Sequence, residues 1–353
     1  MRRSALLGLL AGRIEIVERR RHGCFTDLLG LDEDSLIAAL SARDDAGVTG
    51  AMKSLSPRAL LEHARSFDVE AVCVHDDGYP PALRDSLAPP AVVWATGSLV
   101  ALQAMLDEPA IAIVGARRAS SYGLDVAATL GRDLAAAGVT TVSGMALGID
   151  SAVHTGSLQR DGRTLAVLAG GVDRPYPAVK RRLHAEIVQA GCVISELPPG
   201  TASWRWAFLA RNRVIAALAT MTVVVEAAAR SGALTTAARA RELGRDVGAV
   251  PGRVTSPLAV GPNALIADGA ALIRDARDVL DAVFGAGVRQ PEQMQLLDPA
   301  LGGLLDAIAN GNDTLDTLVA GGFAVDEALA GLADLELAGL VSRGPGGRYL
   351  ACA

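Results

Sequence analysis

Short apolar runs alternate with helical patterns of hydrophobic and polar residues through the middle of the chain. The runs are three or four residues long and rich in Val, Ile and Leu, which is typical of strands buried on both faces. Short buried strands separated by helices predict parallel strands joined by right-handed crossovers, and so an α/β fold with a doubly wound, mostly parallel sheet. The predicted strands are residues 111–114, 141–143, 165–168, 193–195, 222–225 and 247–250, and the predicted helices are 122–137, 176–190, 206–219 and 233–243.

The flanking segments have other patterns. Residues 1–75 read as short amphipathic helices, with apolar residues at helical spacing in 28–40, and predict a small helical module. The Pro-rich stretch 79–97 predicts an extended connector. Helical patterns after residue 295, followed by a GPGG turn, predict a winged-helix-like domain. The predicted divisions are a helical module (1–75), the α/β domain (76–285), a linker (286–294) and the winged-helix-like domain (295–353).

Composition narrows the compartment and the chemistry. Hydrophobic residues make up 50% of the chain and aromatic residues 3%, so Ala, Val, Leu and Ile must build the core. The four cysteines form no CxxC pair and have no His at metal-ligand spacing, which predicts neither disulfides, nor a metal site, nor a cofactor. The apolar run 5–11 is too short for a signal peptide or a membrane span. We therefore expect a cytoplasmic protein without membrane contact.

Charge is unevenly distributed along the chain. The net charge is −6, yet residues 110–285 hold 19 Lys and Arg against 14 Asp and Glu. Residues 1–109 hold 11 against 16, and residues 295–353 hold 2 against 8. Only residues 110–285, the larger part of the predicted α/β domain, are basic, so a polyanionic ligand is expected there.

The residues of the loop after the first central strand predict an anion-binding site. Gly115 allows a tight turn, Arg117 and Arg118 supply charge, and Ser120 or Ser121 can cap the following helix. In a doubly wound sheet, ligands bind at the carboxyl ends of the strands. The loop lacks the later glycines of G-x-G-x-x-G, which argues against dinucleotide binding.

Two further loops and the start of a later helix have a similar character. The residues that we assign to them as candidates for contact with a polyanion are Ser143, Gly144 and Gly148 after the second strand, Gly170, Gly171, Lys180 and Arg181 after the third, and Arg211, Asn212 and Arg213 on a later helix. The backbone N–H groups of glycines at a helix start can donate hydrogen bonds to an anion. Guanidinium groups bind phosphate through two hydrogen bonds at once. A basic groove along several strand ends suits a polyanion better than a mononucleotide.

The motifs now stand in a recognisable order. VGARRASSYG, SGMALGIDSAVHTGSL, TLAVLAGGVDRPYP, ISELPPG, FLARNRVIAALA, VVVEAAARSGALTTAARARELGRDVGAVPG and GPNALIADGA resemble the successive motifs of the DprA/Smf family over about residues 79–280. The resemblance implies an extended Rossmann-like core. It also implies DNA contact by Arg117, by the basic cluster at residues 180–182 and by the R-N-R motif at 211–213. The chain departs from the family pattern at Ala116, where Ser or Thr is usual, and at Lys180, where Asn is usual.

The function implied by this resemblance is binding, without catalysis. Proteins of the family bind single-stranded DNA, protect incoming DNA and load the RecA recombinase onto it in natural transformation. They act as homodimers, and single-strand binding protein is a further candidate partner.

Two other functions remain open from the sequence. The first is a nucleotide-binding or nucleotide N-glycosidase enzyme of the LOG-like Rossmann group, using Glu226, although the chain lacks the P-G-G-x-G-T-x-x-E run of those enzymes. The second is an interaction protein that works through its acidic tail. The presumed recognition helix of that tail carries Asp326, Glu327, Asp334 and Glu336, which repel phosphate and favour protein docking.

Several of the same residues also have structural interpretations. Ser143, Asp150 and His154 could be imagined as a catalytic triad, but no G-x-S-x-G elbow accompanies them, which favours packing around a helix start for the last two. The arginines of 211–213 could form ion pairs with Glu196 and Glu226. Trp204 and Trp206 could stack on bases or anchor a helix.

Overall fold

A computed structural model describes residues 1–21, 25–40, 45–54, 56–86, 88–289, 299–337 and 340–351. Its contacts divide the chain into two compact units, Met1–Pro291 and Glu292–Ala353. Cys24, Cys352 and residues 290–294 of the predicted linker lie outside the described residues. The finer domain boundaries stay predictions.

A nine-stranded sheet forms the centre of the first unit. Its strand order is β1-β2-β6-β5-β4-β3-β7-β8-β9, and every pair from β6 to β9 along that order is parallel. The predicted doubly wound, mostly parallel sheet is confirmed. The strands are β1 (Val69–Cys73), β2 (Val92–Gly97), β3 (Ile111–Val114), β4 (Thr141–Ser143), β5 (Thr164–Leu168), β6 (Cys192–Ser195), β7 (Met221–Val224), β8 (Asp246–Ala249) and β9 (Ala271–Leu272).

The central strands are buried because helices cover both faces of the sheet. Every residue of β3, β5, β6 and β7 is buried, which explains their uninterrupted apolar character. From β3 the chain winds through β4, β5 and β6 on one side and resumes at β7 on the other. The strand order therefore reverses between β3 and β7, the place where doubly wound sheets open a crevice for ligands.

The sequence interpretation was wrong at one end of this sheet. The helical pattern assigned to residues 1–75 missed β1, and the connector assigned to 79–97 contains β2. Strand β2 is antiparallel to both β1 and β6. The prolines precede it, at positions 80, 81, 89 and 90, so Val92–Gly97 keeps every N–H that the sheet requires.

Fourteen helices belong to the first unit among its described residues. None of the described helices is both long enough and apolar enough to cross a bilayer. The helices are α1 (Arg2–Arg20), α2 (Phe25–Gly30), α3 (Glu33–Leu40), α4 (Asp45–Ser54), α5 (Pro57–Arg65), α6 (Pro81–Arg84), α7 (Leu99–Leu106), α8 (Ser121–Ala136), α9 (Ile149–Leu158), α10 (Arg181–Ala190), α11 (Arg205–Leu218), α12 (Gly232–Glu242), α13 (Val260–Ala267) and α14 (Ala276–Phe284).

The predicted helical module does not stand apart from the sheet. Leu6, Leu10 and Ile14 of α1 share one apolar cluster with Leu197 and Trp206, which belong to the α/β region. Each of these five side chains is at most 3% exposed. Helix α1 is thereby fixed against the start of α11.

The second unit is a small helical fold with a hairpin. Its helices are α15 (Pro299–Ala309), α16 (Leu315–Ala320) and α17 (Val325–Leu337), and its antiparallel strands are β10 (Val341–Arg343) and β11 (Tyr349–Ala351). Leu304, Leu318, Leu332 and Leu335 form its core with Tyr349. The elements follow the predicted order, while the assignment as a winged helix stays a prediction.

Candidate functional site

A cavity of about 520 Å³ opens at the carboxyl ends of the strands, beside the reversal point of the sheet. A volume of this size is typical of small-molecule and nucleotide sites. The loop after β3, the starts of α9, α11 and α12, and the last turns of α1 form its walls. Lining residues include Val114, Gly115, Arg117, Ala146, Asp150, Tyr176, Phe208, Arg211, Asn212, Ser231 and Gly232.

Arg117 lies at the lip of this cavity and is exposed. Two neighbours fix its loop: the N–H of Ala116 donates to the carbonyl of Glu226 at 2.7 Å, and the N–H of Ile149 donates to the carbonyl of Ala116 at 3.3 Å. Gly148 has φ +78° and packs against the same carbonyl. The sequence therefore places a solvated guanidinium on a well-ordered loop, as an anion site requires.

An aromatic pair stands beside Arg117. The Arg117 guanidinium carbon lies 4.6 Å from the ring centre of Phe208. The rings of Phe208 and Tyr176 lie 5.3 Å apart at 57°. Tyr176 is 48% exposed. Such a platform offers a base an aromatic face next to a cation.

The two tryptophans that the sequence offered for base stacking or for packing both pack against α1. Trp206 is 1% exposed, and its indole N–H donates to the carbonyl of Ala11 at 3.0 Å. Trp204 packs against Gly12. Both tryptophans are anchors for α1, which was the alternative interpretation. Tyr176 could have been found as the aromatic residue that follows the third strand, but Phe208 carried no local signal.

Arg211 lies in the depth of the cavity wall and is 7% exposed. Its Nη1 donates to the carbonyl of Val167 at 2.8 Å. The guanidinium occupies the space in which a side chain of residue 144 would stand, so Gly144 is required for it. Burial lowers the pKa of Arg211 to about 10, against the opposing effect of Asp150, and the group is still charged at neutral pH.

Asp150, in the first turn of α9, supplies the opposite charge in the same wall. Burial raises the pKa of its carboxyl, while Arg211 and the backbone N–H of Ala146 act against that rise. Asp150 accepts from this N–H at 3.4 Å. The pair Asp150 and Arg211 gives the interior of the cavity both acceptors and donors, the polarity that a base edge can match.

No catalytic triad links Ser143, Asp150 and His154. The hydroxyl of Ser143 donates to the carbonyl of Ile113 at 2.6 Å, and Nδ1 of His154 lies 2.7 Å from the hydroxyl of Thr164. Both side chains are 0% exposed. Burial lowers the pKa of His154 to about 3, with a smaller contribution from Arg211, so its ring is neutral. The packing interpretation of His154 holds.

The R-N-R motif divides into three different roles. Arg213 forms an ion pair with Glu196 at 2.7 Å, and both side chains are only 12% and 11% exposed. The amide of Asn212 donates to the carbonyl of Gly232 at 3.1 Å and to Thr235 at 3.0 Å. The interpretation as a structural ion pair therefore applies to Arg213, whereas Asn212 and Arg211 line the cavity.

Several glycines predicted as bare anion-binding backbone have packing roles. Gly170 and Gly171 are buried against the loop 198–203, and the N–H of Gly171 donates to the carbonyl of Thr201 at 2.9 Å. Gly144 makes room for Arg211, as described above. Because Gly170 and Gly171 face this loop, the explanation that applies to them is close packing of backbone.

The remaining predicted cations lie outside the cavity. Arg118 and Arg181 are exposed and Lys180 is half-buried, and none of the three is among the residues that line it. Their contact with DNA stays a prediction. Lys180 and Arg181 do adjoin the segment of Tyr176, so a strand leaving the aromatic platform on that side would meet them.

The start of α12 completes the cavity. The hydroxyl of Ser231 accepts from the N–H of Ala233 at 3.3 Å, and Ser231, Gly232 and Ala233 all line the cavity. The first N–H groups of a helix carry partial positive charge and attract anions. Among the described residues, no three His, Cys, Asp or Glu side chains form a metal-binding group.

Comparison with known proteins agrees with this geometry. The model of the family DNA recombination-mediator protein A matches residues 70–284. DNA processing protein DprA of Mycobacterium tuberculosis is 44% identical over 262 residues, which is 71% of this chain and 66%, just under two thirds, of that protein. Protein Smf of Synechocystis is 32% identical over 338 residues, covering 86% of this chain and 85% of that protein.

Two solved structures are similar over most of their own length. The X-ray structure of DprA from Streptococcus pneumoniae superposes with a TM-score of 0.62 at 30% identity, covering 80% of this chain and 98% of that one. DprA from Helicobacter pylori superposes with a TM-score of 0.55 at 27% identity, covering 62% and 96%. The latter structure is described as showing a single-stranded DNA binding mode.

Proposed function

The chain belongs to the DNA recombination-mediator protein A family, and from that premise we propose that it binds single-stranded DNA through the cavity at β3 and β7. The DNA would be protected there and passed to the RecA recombinase, with the protein acting as a homodimer and single-strand binding protein as a further partner. The relative from Helicobacter pylori, described with single-stranded DNA, supports the ligand class.

The observation that carries the proposal is the position of Arg117. It sets an exposed guanidinium beside Phe208 and Tyr176 at the mouth of the cavity. A phosphate at Arg117 leaves the adjacent base within reach of the rings, and stacking on rings is possible only for an unpaired base. This combination favours a single strand over a duplex, in which the bases are stacked on each other.

Binding without catalysis fits the state of Glu226 better than the glycosidase alternative. Glu226 is 5% exposed, and each of its carboxylate oxygens accepts a hydrogen bond from Ser120. A general acid or base has to reach its substrate. No observation favours the enzyme, and we propose that the protein has no catalytic activity.

The experiment is a salt titration of oligonucleotide binding, measured by fluorescence anisotropy with single-stranded and duplex 20-mers. Arg117→Ala is expected to weaken single-strand binding roughly tenfold or more. It should also flatten the dependence of log K on log salt by about 0.7, the value of one lost phosphate contact on a single strand. Arg277→Ala, which removes an exposed arginine from α14, is the control. Equal slopes for the two variants, or equal affinity for duplex, would overturn the proposal.

A further inference from the structure

Helix α1 is tied to the start of α11 by hydrogen bonds across almost two hundred residues of sequence. The N–H of Trp206 donates to Glu15 at 3.2 Å, and the indole N–H of Trp206 donates to the carbonyl of Ala11 at 3.0 Å. Burial would raise the pKa of Glu15, but hydrogen bonds from Arg19 and from the Trp206 backbone outweigh it and hold the pKa below its ordinary value. Glu15 is therefore a carboxylate that caps α11.

This attachment makes α1 a wall of the cavity. Glu15, Glu18 and Arg19 of α1 line it, together with Arg205 at the first position of α11. Arg117 lines the same cavity from the loop after β3. A ligand in the cavity is thus bounded by the sheet on one side and by α1 on another.

Charge is arranged in two levels along this wall. Glu15 and Glu18 are buried, at 3% and 7% exposure, whereas the Arg19 side chain is 65% exposed and Arg205 is exposed as well. Carboxylates repel phosphate, so a phosphodiester is held at the rim and kept out of the depth on this side. The rim is where the guanidiniums lie.

Arg19 is already held in place for such a contact. Its Nε donates to Glu15 at 2.9 Å. A guanidinium has five N–H donors, and this bond uses one of them. Glu15 is itself fixed by the N–H of Trp206, so the Arg19 side chain is already restrained while its remaining N–H donors are available. This restraint lowers the entropy lost when a phosphate binds.

We propose that α1 forms a second wall of the groove that binds single-stranded DNA, and that Arg19 and Arg205 bind the phosphates of the DNA. This inference rests on the proposed function, since it assigns the same ligand to a wall that the family motifs do not include. The ligand class is the phosphodiester backbone, and binding through these two residues is independent of base sequence.

The test compares Arg19→Ala, Arg205→Ala and the double variant in the salt titration with a 20-mer. Each single variant should weaken binding roughly tenfold or less and flatten the salt slope by about 0.7, and the double variant by about 1.4. The matched control removes two exposed arginines outside the cavity, as Arg58→Ala with Arg277→Ala, and has the same net charge as the double variant. Its slope should equal that of the unaltered protein.

Two comparisons separate the possible outcomes. If Arg117→Ala flattens the slope and the double variant behaves like the control, Arg19 and Arg205 do not contact phosphate, and the inference is overturned while the proposed function stands. If Arg117→Ala has no effect either, both fail. The double variant Arg19→Lys with Arg205→Lys retains both charges and should restore most of the salt slope. A slope as flat as that of the double alanine variant would indicate lost structure and would count against phosphate contact.

Discussion

Glu226, directly beyond the end of β7, accepts two hydrogen bonds from Ser120, one from the hydroxyl at 2.6 Å and one from the backbone N–H at 2.9 Å. The same serine caps α8 by accepting from the N–H of Gly123 at 3.1 Å. The carboxylate therefore holds together the two loops that meet where the strand order reverses. One of those loops carries Arg117.

Removal of the Ser120 hydroxyl should weaken both the fold and the grip on DNA. Ser120→Ala deletes the helix cap and one bond to a charged acceptor, so we expect a loss of about 1–3 kcal/mol in the free energy of unfolding. Because the Arg117 loop loses a restraint, affinity for a single-stranded 20-mer should also fall. Urea unfolding and anisotropy measure the two effects. Ser121→Ala, which changes the neighbouring serine, is the control, and unchanged affinity in Ser120→Ala would show that Arg117 is positioned without the Ser120 hydroxyl.

A methyl group at position 144 should destabilise the protein strongly. The side chain of Gly144→Ala would occupy the place of the Arg211 guanidinium, so this buried group would have to move and give up its hydrogen bond to the carbonyl of Val167. Overpacking around a buried charge should cost about 2–4 kcal/mol. Gly50→Ala, in α4 with nothing within 4 Å, is the control and should be neutral or stabilising. Equal denaturation midpoints for the two variants would contradict the assigned role of Gly144.

Acid should destabilise the first unit through His154. Its pKa is about 3 in the folded protein against 6.5 ordinarily, so between these values the unfolded chain binds a proton that the folded protein does not. Stability is fully present above pH 6.5 and falls as the pH is lowered, by about 2 kcal/mol at pH 5. His154→Asn retains a hydrogen-bonding group for Thr164 but does not titrate. Its unfolding free energy should therefore change less between pH 7.5 and pH 5, and parallel pH profiles would refute the prediction.

The aromatic platform should contribute to affinity without altering its salt dependence. Phe208→Ala removes a stacking surface and the ring beside Arg117, so single-strand binding should weaken by about 1–3 kcal/mol. No phosphate contact is lost, and the salt slope should stay the same. Phe67→Ala, which removes an exposed aromatic remote from the cavity, is the control. A flatter slope in Phe208→Ala would mean that Phe208 acts by orienting Arg117.

Sequence patterns predicted β3 to β8 because these strands are almost entirely buried and read as short apolar runs, whereas β9, whose two exposed residues pair parallel with β8, was not predicted. Strands β1 and β2 were not predicted because β1 follows a helical module and β2 follows prolines. Neither strand has the alternation of apolar and polar residues that is typical of a half-exposed strand.

The site was predictable only in part. Gly115 and Arg117 could be placed at the cavity because a loop that follows a strand needs no tertiary information. The role of Gly144 depends on Arg211, which comes 67 positions later, and the pairing of Arg213 with Glu196 depends on how α11 faces β6. Contacts between distant segments leave no local pattern in the sequence. For this reason Gly144, Gly170 and Gly171 were assigned to anion binding, and α1 was not included in the predicted site.

The capping of α11 by Glu15 has a consequence for the newly made chain. Residues 15 and 206 must both have been synthesised, and must have found each other, before the wall of the cavity exists. A ribosome that has completed only the first half of the protein therefore holds a segment without a groove for a polynucleotide. The cavity, and with it the proposed binding of single-stranded DNA, can therefore form only after the start of α11 has been synthesised.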